Sequence, residues 1–206
     1  KSKVRVAFKN YGFSPVKQVY VDPRIDIAIV QIDPKLIPKE AKEAKLKCDG
    51  KVPSGTSVAA FGHPKDLSFS ASRGIVSKYR FFSGKDVIQT DTAINKGNSG
   101  GPLIDMNTGL VIGVNKSSYT KSSGLSFAVP SKNVCIILNL FNEDKNPSPI
   151  KLPIRFAEDR EAEDYLKVGS FYHKGNNIEI GSSLIAVNDT KIKTPSELDF
   201  ILRGKT

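Results

Sequence analysis

A mainly β protein is predicted by three features of the 206-residue sequence. Short apolar runs recur along residues 1–130. Turn signals built on Gly and Asn separate them, as at Asn10-Tyr11-Gly12. The helix-start signals that open full helices, at Ser131 and at Thr194-Pro195-Ser196-Glu197, stand after Pro130. Repeated short strands with such turns argue for an all-β barrel or sandwich, with a small mixed α/β segment behind it.

The strands are expected in order. Residues 4–8 alternate, and 16–20 form a second strand. Residues 25–32 form a third: Ile25, Ile27 and Ile29 fall on one face and Ala28, Val30 and Ile32 on the other. A strand apolar on both faces is expected to be buried on both. Residues 58–61, 75–79, 87–90, 103–104, 110–115 and 125–129 follow. Thr108-Gly109 between two apolar runs predicts a hairpin. Ser131 after Pro130 is placed to cap a helix reaching Phe141. The prolines and mixed charges of 142–150 read as a linker. Beyond it, 183–187 reads as a strand, Asn188-Asp189 as a turn, and Thr194-Pro195-Ser196-Glu197 as a capping box opening a helix.

Composition is that of an ordinary globular chain, 39% hydrophobic and 25% charged. No apolar run approaches a membrane span, and residues 1–9 alternate like a strand rather than a secretory signal. The chain thus reads as a mature or trimmed fragment. The net charge of +10 comes from lysines spread along the whole chain. Aromatic residues do not interleave with them as a stacking platform needs, so the basic balance reads as surface and not as nucleic-acid binding. The densest run, 35–51, is diluted by Glu40, Glu43 and Asp49. Two cysteines make no disulfide framework. Cys135, inside an apolar run, reads as core, and a single bridge to Cys48 stays open. The two histidines lack metal-ligand spacing, and no metal or cofactor is expected.

The stretch that carries chemistry is Gly97-Asn98-Ser99-Gly100-Gly101-Pro102. Acyl transfer through serine needs a nucleophile, a base, a group orienting the base, and donors for the oxyanion. Ser99 supplies the first. Glycine at 97 opens a loop conformation that lets the amides of Gly97 and Ser99 converge, each such donor contributing roughly 3–4 kcal/mol to the transition state.

The segment 89–104 around Ser99 resembles the nucleophile region of the HtrA (Deg) serine proteases. Asp22-Pro23-Arg24-Ile25-Asp26-Ile27-Ala28-Ile29-Val30-Gln31-Ile32 resembles their aspartate strand. Phe61-Gly62-His63-Pro64, Ser72-Arg73-Gly74-Ile75-Val76-Ser77, Gly113-Val114-Asn115 and Gly124-Leu125-Ser126-Phe127-Ala128-Val129-Pro130 match further landmarks, in order across 3–140. The resemblance implies a trypsin-like double β-barrel with the first barrel incomplete, over residues 1–141. A linker at 142–150 and a small α/β PDZ-like domain at 151–206, C-terminally incomplete, would follow. It implies Ser99 as nucleophile, Asp26 as triad aspartate, and an oxyanion region of Gly97, Asn98 and Ser99. A substrate pocket of Ile94, Val114, Asn115, Lys116 and Ser117 is implied too, with Ile94 favouring small aliphatic residues before the cut. Asp91, too far before Ser99 to select basic residues, is expected to order the loop.

The family's triad histidine precedes its aspartate, but no histidine precedes Asp26. His63 aligns with a turn residue, and His173 reads as surface. The expectation is a chain without its first strands; the competing reading is a protein that lost its base. The final segment is similar to a PDZ domain at 180–192, with Ser182 and Asp189 departing from the pattern. Tyr165-Leu166-Lys167-Val168-Gly169 and Leu152-Pro153-Ile154 are candidate carboxylate-binding loops; a structural α/β cap is the alternative. The implied activity is ATP-independent endoproteolysis of unfolded or misfolded polypeptides in the periplasm or cell envelope, by a trimer-based homo-oligomer. A catalytically dead peptide-binding or chaperone module is the alternative.

Overall fold

The computed structural model describes residues 4–63, 70–82, 85–118, 125–148, 152, 154–157, 166–171 and 178–203. The chain opens with two antiparallel hairpins. β1 (Arg5–Ala7) pairs with β2 (Phe13–Pro15), and β3 (Gln18–Asp22) with β4 (Ile27–Gln31). The turn at 10–12 forms with Asn10 left-handed, at φ 64°.

Burial on both faces of 25–32 is not observed. Ile25 and Ile27 are each 7% exposed, while Ala28 and Val30 face solvent. The reason is the sheet: β3 and β4 form a two-stranded ribbon, so one face alone finds a partner. That face packs on Val129, Ile137, Val114 and Val134.

β5 (Ser57–Gly62), β6 (Ser70–Phe82), β7 (Lys85–Thr90), β8 (Pro102–Asp105), β9 (Val111–Ser118) and β10 (Ser126–Pro130) close a barrel in the order β10-β7-β6-β5-β8-β9. Each answers to an expected strand, and closure leaves no unpaired edge. Its interior is filled by Val58, Ala60, Val76, Ile88, Leu103, Ile112 and Ala128, together with Val52 and Ile94. The β8–β9 hairpin turns at Thr108-Gly109 as expected: Gly109 lies at φ 72°, and its amide donates to the Asp105 carbonyl at 2.8 Å.

α1 (Ser131–Asn142) follows β10 directly. Ser131 does not cap it. Pro130 holds the cap position, and the Ser131 hydroxyl donates to the Val111 carbonyl at 2.8 Å, binding the helix start to β9. Cys135 is 4% exposed and disulfide-bonded to Cys48, which fastens α1 to the segment before the barrel.

The C-terminal segment is α/β. β11 (Ile154–Phe156), β12 (Leu166–Phe171) and β13 (Ser183–Leu184) form a sheet, and β14 (Ala186–Val187) and β15 (Thr190–Lys191) a hairpin. The expected strand 183–187 is broken at Ile185, which is 56% exposed. Asn188 and Asp189 turn the hairpin with φ of 47° and 61°, the two left-handed residues of a type I′ turn. α2 (Pro195–Leu202) starts at the expected capping box, with the Glu197 amide on Thr194 Oγ1 and the Thr194 amide on the Glu197 carboxylate. Its apolar face packs as Leu198 against Leu166 and Ile192. His173, Tyr165 and Pro153 lie outside the described residues. No described helix is long and apolar enough to cross a membrane.

Candidate active site

The loop between β7 and β8 carries Ser99, and its neighbours hold it from three sides. Asp91 accepts the Ile75 amide at 2.6 Å, anchoring the loop start to β6, which is the ordering role expected of it. Asn98 is buried; its side-chain amide reaches the Ala93 carbonyl at 3.3 Å. The Gly97 carbonyl accepts the His63 amide at 2.9 Å, at the end of β5. From β9, the Asn115 carbonyl takes the Gly100 amide at 2.7 Å, and the Asn115 amide donates to the Gly101 carbonyl at 2.8 Å.

Two glycines permit this closeness. Gly97 lies at φ 107°, a backbone region that side chains rarely adopt. A Cβ on Gly101 would stand 2.1 Å from the Phe61 carbonyl oxygen. Ser99 is left exposed at the surface of this braced loop. The Asn98 amide is committed inside the loop, to the Asn95 carbonyl at 3.0 Å. Among the described residues, the amides of Gly97 and Ser99 donate to no protein acceptor.

Asp26 sits in the turn between β3 and β4 with φ 65°, and its amide donates to the Asp22 carbonyl at 3.0 Å. Asp22 builds that turn. Its carboxylate accepts the amides of Arg24 at 2.9 Å and Ile25 at 3.3 Å. Ile25 and Ile27, on either side of Asp26, share a cluster with Val114 of β9.

β9 is therefore the strand that brings the two candidates together, and Lys116 is the residue that touches both. The Ser99 hydroxyl donates to the Lys116 carbonyl at 2.6 Å, and the Lys116 ammonium lies 3.5 Å from Asp26 Oδ2. Lys85 of β7 stands close by, with its ammonium on the Pro23 carbonyl at 3.3 Å. Burial, and after it the charge of Lys116, hold the Lys85 ammonium below the ordinary lysine pKa.

The pocket expectation is corrected in part. Ile94 is 1% exposed and packs inside the barrel core, so its side chain does not open toward a ligand. Asn115 is equally buried, and its side-chain amide binds the Pro102 carbonyl at 3.0 Å; it braces the loop. Val114 belongs to the Ile25/Ile27 cluster, and Ser117 continues β9 opposite Phe127. Lys116 faces Asp26. Sequence reading missed the ammonium of Lys116 as an aspartate partner, and missed Asp22, Arg24 and Arg203 as the frame of the Asp26 turn. The Asp22-to-Asp26 spacing within a Pro-containing segment was the available signal for the turn. Nothing in the sequence signals Arg203.

A family model for the trypsin-like peptidase domain matches residues 1–114. The chain belongs to that family. Within this trypsin-like peptidase family, its likeness is to the HtrA/DegP proteases. It is 40% identical over 135 residues to a probable periplasmic serine endoprotease DegP-like of Pseudomonas putida, covering 62% of this chain and 27% of that one. It is 31% identical over 233 residues to protease Do-like 1, chloroplastic, of Arabidopsis thaliana, covering 98% of this chain and 52% of the relative. The fold of the trypsin-like chain also matches the crystal structure of the serine endoprotease from Yersinia pestis, with a TM-score of 0.67 at 23% identity over 98% of this chain and 70% of that one. The chain thus spans between about a quarter and a half of the length of these curated relatives.

Proposed function

We propose that the complete protein is an ATP-independent serine endopeptidase of HtrA type acting on unfolded or misfolded polypeptides through an acyl-enzyme at Ser99. The observation that carries this reading is the junction at Lys116, where an exposed serine on a braced glycine loop and an aspartate from a distant turn meet on one strand.

In this reading Ser99 Oγ attacks the substrate carbonyl, and its proton passes to a histidine. Asp26 fixes that histidine's tautomer and stabilises its protonated form. The amides of Gly97 and Ser99, with no acceptor of their own among the described residues, receive the oxyanion. The reading requires a histidine as base, and none precedes Asp26 in the present sequence. Residues 1–141 act as the protease domain, 142–150 as a linker, and 151–206 as a PDZ-like domain that captures peptide beside α2 by strand addition. A trimer-based homo-oligomer in the cell envelope fits the reading. The DegP-like name of the relatives and the Cys48–Cys135 disulfide, a bond of oxidising compartments, support the location.

The test is turnover of unfolded casein by the complete protein and by Ser99→Ala. The expectation is activity in the first and loss of at least about a thousand-fold in the second. Equal turnover would remove Ser99 from the mechanism. Binding of casein without cleavage by both would support the dead peptide-binding module.

A further inference from the structure

We propose that Lys116, through its ammonium, is a positioning residue for Asp26 and sets the acid limit of Ser99 reactivity. The inference rests on the reading of Ser99 as nucleophile and Asp26 as the carboxylate behind its base.

The geometry separates two functions of one residue. The Lys116 backbone holds Ser99 Oγ at 2.6 Å, which ties this point of β9 to the nucleophile. The side chain crosses from there to Asp26 Oδ2 at 3.5 Å. Substitution at 116 removes the ammonium and keeps the carbonyl, so the two functions can be tested apart.

Two ammonium groups act on Asp26, Lys85 through its charge and Lys116 through an ion pair. The nearby carboxylate of Asp22 is already matched by Arg203, with both side chains at 0% exposure. Arg24 is matched by Asp199. Facing Asp26 from β7 is Lys85, a second ammonium, itself turned toward the Pro23 carbonyl. Asp26 therefore works among cations, and among the described residues Lys116 is its ion-pair partner.

A carboxylate behind a catalytic base raises the base's pKa by stabilising its protonated form. An ammonium on that carboxylate offsets part of the field, so the base loses its proton at lower pH. Ser99 then stays reactive further into acid. The Asp26 side chain is 58% exposed, which weakens the effect through solvent. The expected size is about half a pH unit at low salt, shrinking as salt is added.

The experiment is the pH profile of fluorophosphonate labelling of Ser99 in the complete protein, comparing wild type, Lys116→Met and Lys116→Arg. The Met variant should move the acid limb up by about half a pH unit, and the Arg variant should keep it at the wild-type position. Acid limbs that coincide in wild type and Lys116→Met overturn the inference, whether or not the plateau falls, because a merely structural role lowers the plateau alone. Absence of labelling in wild type at every pH overturns instead the nucleophile reading beneath it.

Discussion

Asp22 and Arg203 form a fully buried ion pair, with Oδ2 and Nη1 2.5 Å apart and both side chains at 0% exposure. The pair joins the residue after α2 to the turn that presents Asp26. Arg203 also donates to the Pro147 carbonyl, so the segment between α1 and β11 is held at the same point. Arg24 and Asp199 form a second, partly exposed pair beside it. The C-terminal segment is thereby connected to the frame of the candidate active site by one fully buried ion pair and one partly exposed one.

Removing Arg203 tests that connection. Arg203→Met should leave the Asp22 carboxylate buried without its cation and cost about 3–5 kcal/mol of stability, read from urea unfolding. A loss under about 1 kcal/mol would mean that solvent reaches the pair in solution. Because Asp22 also accepts the amides of Arg24 and Ile25, the same variant should slow labelling of Ser99 at temperatures where the protein is still folded.

The nucleophile loop has a tighter tolerance than its surface position suggests. Gly101→Ala would drive a methyl to 2.1 Å from the Phe61 carbonyl oxygen, so loop or strand must shift. The shift should lower the rate of Ser99 labelling by about a hundred-fold, the scale of a misplacement near 1 Å. Labelling within a few-fold of wild type would show that β5 yields instead of the loop. Comparison with Gly109→Ala, at a left-handed turn remote from Ser99, would separate lost activity from lost stability.

Lys85 offers a pH-dependent stability test. Its folded-state pKa is lowered, first by burial and then by Lys116, so the unfolded chain binds the proton more tightly than the folded one. The charged Lys85 therefore costs stability below its folded pKa. That cost is recovered as pH rises through the lowered value toward the unfolded value of 10.5. Lys85→Met should be more stable than wild type at pH 7, with the advantage fading across that window. The difference in urea midpoint between pH 7 and 11 reads it, and a difference that grows with pH would contradict the shift.

Much of the fold was legible locally. The six barrel strands answer to short apolar runs separated by turn signals. The Thr108-Gly109 hairpin, the Asn188-Asp189 turn and the Thr194–Glu197 capping box answer to backbone chemistry carried within a few residues. Ser131 misled because a hydroxyl after Pro130 has two partners open to it. Tertiary packing set the Val111 carbonyl against it, in place of the helix's own amides. Ile25 to Ile32 misled because apolar content on both faces describes what a strand can bury and not which neighbours it meets.

The sequence by itself determined the local chemistry: a serine between glycines, an aspartate in a Pro-containing turn, and a series of short strands. These are local properties, written in residue type and spacing. The tertiary structure alone decided which groups meet. It packed Ile94 into the core, bonded Cys48 to Cys135, buried Asp22 against Arg203, and set Lys116 between Ser99 and Asp26. Each of these pairs residues far apart in the chain, and such pairings depend on barrel closure and strand register, which no short stretch of sequence specifies.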